Sequence, residues 1–172
     1  MTTLFDEAAL AERIDSVAAK IVADLGPEFV LAPVLTGGFV FAADLGRALS
    51  RHGADPRIDF VQLASYGNAR ESSGIVKVVK DFTLPLEGQT VLLVDDVLDS
   101  GRSLAHAAAM LNERKAARIA IAVSIQKEKE RAADIYADYA LFEVPGDQFL
   151  IGYGMDDKGR ARMIPTVDVV ES

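Results

Sequence analysis

The run TVLLV at 90–94 passes without a spacer into Asp95-Asp96, and no other stretch constrains the chain as strongly. A short apolar run bounded by turn residues reads as a strand buried on both faces. EFVLAPVL (28–35) is a second such run, ending at Thr36-Gly37-Gly38. RIDFVQLAS (57–65), IVKVV (75–79), RIAIAVSIQ (118–126), YALFEV (139–144) and FLIGYG (149–154) also read as strands. Helical signals lie between them. Leu10, Ile14, Val17, Ile21 and Leu25 step along one helix face, and Gly26-Pro27 stops it. Further helices are expected from Phe39 to Ser50 and over 102–114. The segment YGNARESSG (66–74) lacks apolar periodicity and reads as a mobile loop, while 127–138 is a charged stretch. Strands alternating with helices predict an α/β fold with a mostly parallel central sheet flanked by helices. Ligands of such sheets bind beyond the carboxyl ends of the strands, here just after Leu35, Val94 and Gln126.

With 172 residues, 50% of them hydrophobic, the chain has the apolar material for one core, and a single domain over 1–172 is expected. The absence of cysteine removes disulfides, thiol nucleophiles and iron–sulfur clusters. A formal charge of -8 with no basic tract argues against nucleic-acid binding, which needs Lys and Arg to neutralise phosphates. No apolar run reaches the roughly 18 residues of a membrane span, and MTTLFDEAALAER lacks the features of a signal peptide. A cytoplasmic protein is therefore expected. His52 and His106 have no partner pattern and receive no role.

The chemistry concentrates in VLLVDDVLDSGRSL (91–104). Ser100, Gly101, Arg102 and Ser103 open a helix, where free backbone N–H groups, two hydroxyls and a guanidinium can cradle a phosphate. Asp95, Asp96 and Asp99 would repel a bare phosphate. They suit a ligand that carries vicinal hydroxyls or a divalent cation beside its phosphate, as a ribose 5-phosphate does. An ordinary capped helix is the other reading of Asp99-Ser100, since both residue types are common N-caps.

This segment resembles the diphosphate-sugar (PRPP) motif of the type I phosphoribosyltransferases: four apolar residues, two acids, two apolar residues, Asp, Ser or Thr, Gly, any residue, and Ser or Thr. From about 30 to 165 the chain is similar to the hypoxanthine-guanine members of that family. VLTGGFVFAADL (34–45) resembles their pyrophosphate loop, with Thr36 where many members carry Lys or Arg. The resemblance implies main-chain pyrophosphate contacts at Thr36 and Gly37 and a cis peptide at Leu35–Thr36. SYGNARESSGIVKVVKDF (65–82) resembles the flexible loop, with Ser65 and Tyr66 as its characteristic pair. FEVPGDQFLIGYGMD (142–156) resembles the base-binding segment, although PGDQF has one residue more than that pattern. Receiver domains also set an acidic pair after an apolar strand, but Asp134 and Asp138 do not end such a strand and cannot serve as their phospho-acceptor.

The resemblance implies a small hood for the base and a reaction in which a 6-oxopurine and PRPP give a nucleoside 5′-monophosphate and pyrophosphate. Within it, Asp99 is the expected general base. Asp95, Asp96, Ser100, Gly101, Arg102 and Ser103 are expected to bind PRPP. Ser65, Tyr66 and Arg162 join Thr36 and Gly37 at the pyrophosphate. Lys127, placed directly after a strand, would donate to the purine 6-oxo group, Phe149 would stack on the base and the Leu150 backbone would bond its edge. Mg2+ is the implied cofactor, held by Asp95, Asp96 and Asp156. A homodimer or homotetramer is implied as well. Lys129 is read as part of a solvated turn. A PRPP-binding regulator of the same fold is the second reading, and Lys127, Phe149 and Asp156 weigh against it.

Overall fold

A computed structural model describes residues 1–65 and 75–170. The central sheet contains β2 (Val30–Leu35), β3 (Arg57–Ile58), β4 (Val61–Ser65), β5 (Val76–Lys80), β6 (Thr90–Leu98), β7 (Arg118–Glu128) and β8 (Tyr139–Pro145). Its strand order is β5-β4-β2-β6-β7-β8, with β3 also paired to β2. All these pairings are parallel except β4 with β5.

The reason for the continuous apolar runs lies in the layers. In β2 and β6, Val30, Ala32, Val34, Val91 and Leu93 face one core, where α3 (Arg102–Glu113) contributes Leu104, Ala107, Met110 and Leu111. Leu31, Leu92 and Val94 face the other core, filled by α1 (Glu7–Leu25) and α2 (Gly38–Arg51). Alternate residues therefore point to opposite faces, and both faces are covered. Asp6 caps α1 by accepting from the Ala9 N–H at 2.9 Å. Among the described residues, no helix is long and apolar enough to cross a membrane.

Four boundaries differ from expectation. The expected strand 57–65 is divided at Asp59-Phe60. Its two parts keep one register, Val30 opposite Arg57 and Val34 opposite Val61, and the gap falls opposite Pro33, which has no N–H to give. Strand β6 does not end at Val94, because β7 continues beside it and pairs Asp95 with Val123 and Leu98 with Gln126. For the same reason Lys127 lies inside β7, opposite Val144, rather than after it. The expected strand 149–154 shrinks to β9 (Leu150–Ile151), because Gly152, Tyr153 and Gly154 all adopt positive φ.

Residues 2–5 and 167–169 form strands that local pattern did not indicate. β1 (Thr2–Phe5) pairs with β10 (Val167–Val169), which pairs with β9. This antiparallel sheet builds the hood beside β8. Phe5 stacks on Phe142 with ring centroids 3.7 Å apart, tying the hood to the central sheet.

Candidate active site

A cavity of about 380 Å³ opens at the carboxyl ends of β2 and β6. These neighbours are where the sheet order reverses: from β2 the chain goes to β4 on one side, and from β6 to β7 on the other. Leu35 and Gly37 line one wall, Asp95 to Val97 and Asp99 to Leu104 another, and Ser65, Asp156 and Arg162 lie around it. The cavity thus gathers most of the residues expected at a sugar-phosphate and pyrophosphate site. Tyr66 falls outside the described residues.

Asp95 and Asp96 sit in the strand, not in a solvated turn, and both are buried. Each curls back on the main chain: Asp95 Oδ1 accepts from the Asp96 N–H at 2.9 Å, and Asp96 Oδ1 from the Val97 N–H at 2.7 Å. Burial, followed by the charge of Asp96, pushes the Asp95 carboxyl well above the usual carboxylate range. Burial also pushes Asp96 up, against the nearby Arg162 and its hydrogen bonds. Positive charge reaches the pair from Arg162, whose Nη1 stands 3.8 Å from Asp96 Oδ2.

Arg162 also binds Asp156 Oδ1 at 2.8 Å and donates to the Gly154 carbonyl at 2.6 Å. Asp156 Oδ2 accepts from the Gly159 N–H. Asp156 therefore faces the cavity already engaged. The described residues contain no cluster of three or more His, Cys, Asp or Glu side chains disposed around a single ion.

Gly101 precedes α3 in a left-handed conformation, φ 77°, and a Cβ there would meet Ile135 Cγ2 at 2.6 Å. The N-cap position is Gly101 itself, so neither Asp99 nor Ser100 occupies it. From just before it, Ser100 Oγ accepts weakly from the Arg102 N–H, at 3.4 Å. Ser100, Gly101, Arg102 and Ser103 all line the cavity, where helix N–H groups and the helix dipole favour an anion.

The peptide Leu35–Thr36 is cis. The Thr36 side chain is exposed and lines a separate apolar groove with Phe39 and Met163, while Gly37 stays buried in the cavity wall. Two contacts that sequence reading missed explain why small residues occupy this wall. A Cβ on Gly37 would collide with the Asp96 carboxylate, and one on Gly154 (φ 101°) would collide with the Gly37 carbonyl. No local signal marks them, because both are meetings between distant segments.

On the base side, Lys127 Nζ lies 3.1 Å from Asp99 Oδ2 and is mostly covered. Lys129 lies in an exposed bend just past β7, as expected for a solvated turn, and its ammonium also pairs with Asp99 Oδ1. Burial raises the Asp99 carboxyl, but the hydrogen bonds and charges of Lys129 and Lys127 outweigh it and hold Asp99 below the ordinary value. Phe149 is 51% exposed, so it is not core packing. Leu150 is buried beside it and pairs with Val169.

The phosphoribosyl transferase domain family matches residues 1–158. The hypoxanthine-guanine phosphoribosyltransferase of Bacillus subtilis is 36% identical over 98% of this chain and 92% of its own length. That of Aquifex aeolicus is 38% identical over 98% and 93%. Among solved structures, a hypoxanthine-guanine phosphoribosyltransferase from Bacillus anthracis superposes with a TM-score of 0.89 at 36% identity, covering 99% of both chains. A Trypanosoma cruzi hypoxanthine phosphoribosyl transferase gives 0.91 at 33% identity, covering 98% of this chain and 90% of its own. With the acid pair, the helix N-terminus and the hood meeting at one strand-end cavity, the chain belongs to the phosphoribosyltransferase family, among its hypoxanthine-guanine members.

Proposed function

We propose that the protein transfers the phosphoribosyl group of PRPP to N9 of a 6-oxopurine, releasing pyrophosphate and forming the nucleoside 5′-monophosphate. The observation that carries this reading is the single cavity shared by Asp95, Asp96, Asp99 and the α3 N-terminus. A sugar bearing both hydroxyls and phosphate needs that combination of acid and cradle. Ser100, Gly101, Arg102 and Ser103 hold the 5-phosphate. Asp95 and Asp96 take the ribose hydroxyls and oppose positive charge developing on the sugar carbon as pyrophosphate departs. Thr36 and Gly37 meet the pyrophosphate through main-chain amides, and Ser65, Tyr66 and Arg162 complete its site.

The base lies between Phe149 and Lys127. Lys127 donates to the 6-oxo oxygen, which selects hypoxanthine, guanine or xanthine over adenine, whose 6-amino group is itself a donor. The Leu150 main chain bonds the base edge. Asp99 accepts the proton from purine N7 as general base. The donors suit magnesium: all are hard carboxylates, and Asp95 and Asp96 are buried side by side. Asp95 and Asp96 would hold one ion and Asp156 a second, and magnesium would supply charge neutralisation beside the pyrophosphate. The setting proposed is the cytoplasm, with the chain as a homodimer or homotetramer.

The test is incubation of the purified protein with PRPP and magnesium, offering hypoxanthine, guanine, xanthine and adenine in parallel. Monophosphates from 6-oxopurines but not from adenine are expected. No nucleotide from any of the four would sink the reading.

A further inference from the structure

Lys129 stands outside the residues assigned above, yet its ammonium occupies one oxygen of the proposed base. Asp99 faces two cations, Lys129 on Oδ1 and Lys127 on Oδ2, the latter at 3.1 Å. The Lys129 stem is laid against Gly146, in the PGDQF turn that is one residue longer than expected. A Cβ on Gly146 would stand 2.6 Å from Lys129 Cβ and 3.1 Å from its Cδ. The turn leaves room for that stem, and the head reaches back to Asp99. Lys127, by contrast, is held in β7, with only 12% of its side chain exposed.

The two lysines have different freedom to change partner. Lys127 is the proposed donor to the purine 6-oxo oxygen, and a shift of its ammonium toward that oxygen loosens its hold on Asp99 Oδ2. Moving it would strip a partly buried carboxylate of its counterion, a change that is costly when no second cation remains. Two ammonium groups on one carboxylate also repel each other, so each holds it less firmly than it would alone.

We propose that Lys129 is a positioning residue: it keeps Asp99 paired through Oδ1, so that a 6-oxopurine can draw Lys127 off Oδ2 and open that oxygen to the N7 proton. The inference rests on the proposed purine transfer. Lys127 recruitment and base exposure then become one event, and Oδ2 is the oxygen that takes the proton.

The experiment compares Lys129→Gln and Lys129→Arg with the unaltered protein, measuring kcat and KM separately for hypoxanthine and for PRPP. In Lys129→Gln, Lys127 becomes the sole counterion and resists recruitment. The hypoxanthine KM should rise roughly fivefold, the equivalent of one partly exposed ion pair. The PRPP KM should stay within about twofold, and Lys129→Arg should restore most of the loss. An unchanged or lowered hypoxanthine KM overturns the proposal, and so does a parallel rise for both substrates, the mark of a general distortion. Failure of the unaltered protein to turn over any 6-oxopurine overturns the function itself. The two failures are therefore distinguishable.

Discussion

Lys127 Nζ lies 3.1 Å from Asp99 Oδ2, so the proposed selector of the base and the proposed acceptor of its proton neutralise each other before substrate arrives. Asp99 consequently sits below the ordinary carboxylate value despite its partial burial, held there by Lys129 and Lys127. It stays ionised at neutral pH and ready to accept. Asp99→Asn keeps the shape and one acceptor oxygen but loses the charge. Turnover should fall by roughly 10²-fold or more, while PRPP binding, read by calorimetry, should change by less than about threefold. Equal turnover would remove Asp99 from the role of base.

Asp95 and Asp96 present the opposite electrostatic case. Both are buried side by side, and burial raises both carboxyls. Holding two such acids side by side costs stability, which contact with the proposed sugar phosphate would offset. Asp95→Asn should therefore be more stable than the unaltered protein at neutral pH, by roughly 1 to 2 kcal/mol in denaturant unfolding. PRPP should protect the variant less. A variant that is less stable without ligand would show that the pair is structurally satisfied.

Much of this arrangement was legible in the sequence wherever the signal was local. VLLVDD marked the central strand and the mouth of the cavity, and the SGRS turn marked the helix start that opens on it. Contacts made only by the tertiary fold were not legible. Strands β1 and β10 are short, and neither has a partner nearby in sequence, so their alternation carries little information. The reach of β6 past Val94 depends on β7 continuing beside it. Lys129 looked like any lysine in KEKER because its partner lies thirty positions earlier in the chain. The mutual fit of Gly37, Asp96 and Gly154 is likewise invisible in any one segment.

That fit can be tested alone. Gly154 has φ 101°, which disfavours any other residue, and a Cβ there would strike the Gly37 carbonyl. Backbone cannot swing aside as a side chain can. Gly154→Ala should cost about 2 kcal/mol or more in urea unfolding, and activity should fall with the displaced wall. Unaltered stability would show that the loop at 152–155 relaxes freely.

Phe149 invites the reverse test. Its ring is 51% exposed, so truncation removes little folding energy. Phe149→Ala should lose less than about 1 kcal/mol of stability. If the ring stacks on the base, the purine KM should still rise roughly tenfold, in line with the loss of one base–aromatic stack. A large stability loss with an unchanged purine KM would return Phe149 to the core.

Asp59 carries the clearest pH dependence of the fold. Buried in the gap between β3 and β4, it accepts from the Thr83 N–H at 2.8 Å, the Leu84 N–H at 2.9 Å and Thr83 Oγ1 at 3.1 Å. Lys80 Nζ stands 3.5 Å away. Burial raises the carboxyl, but these bonds and the Lys80 charge outweigh it and set the folded value below the reference 3.8. A depressed folded value means that the unfolded chain takes up the proton first. The stabilisation is then fully present above pH 3.8 and is lost as pH falls through the folded value. Asp59→Asn should cost roughly 2 to 3 kcal/mol at neutral pH. Urea unfolding at neutral pH and below the reference value checks the sign. The gap between the two proteins should narrow at the lower pH, and a gap that stays constant would assign the loss to shape rather than charge.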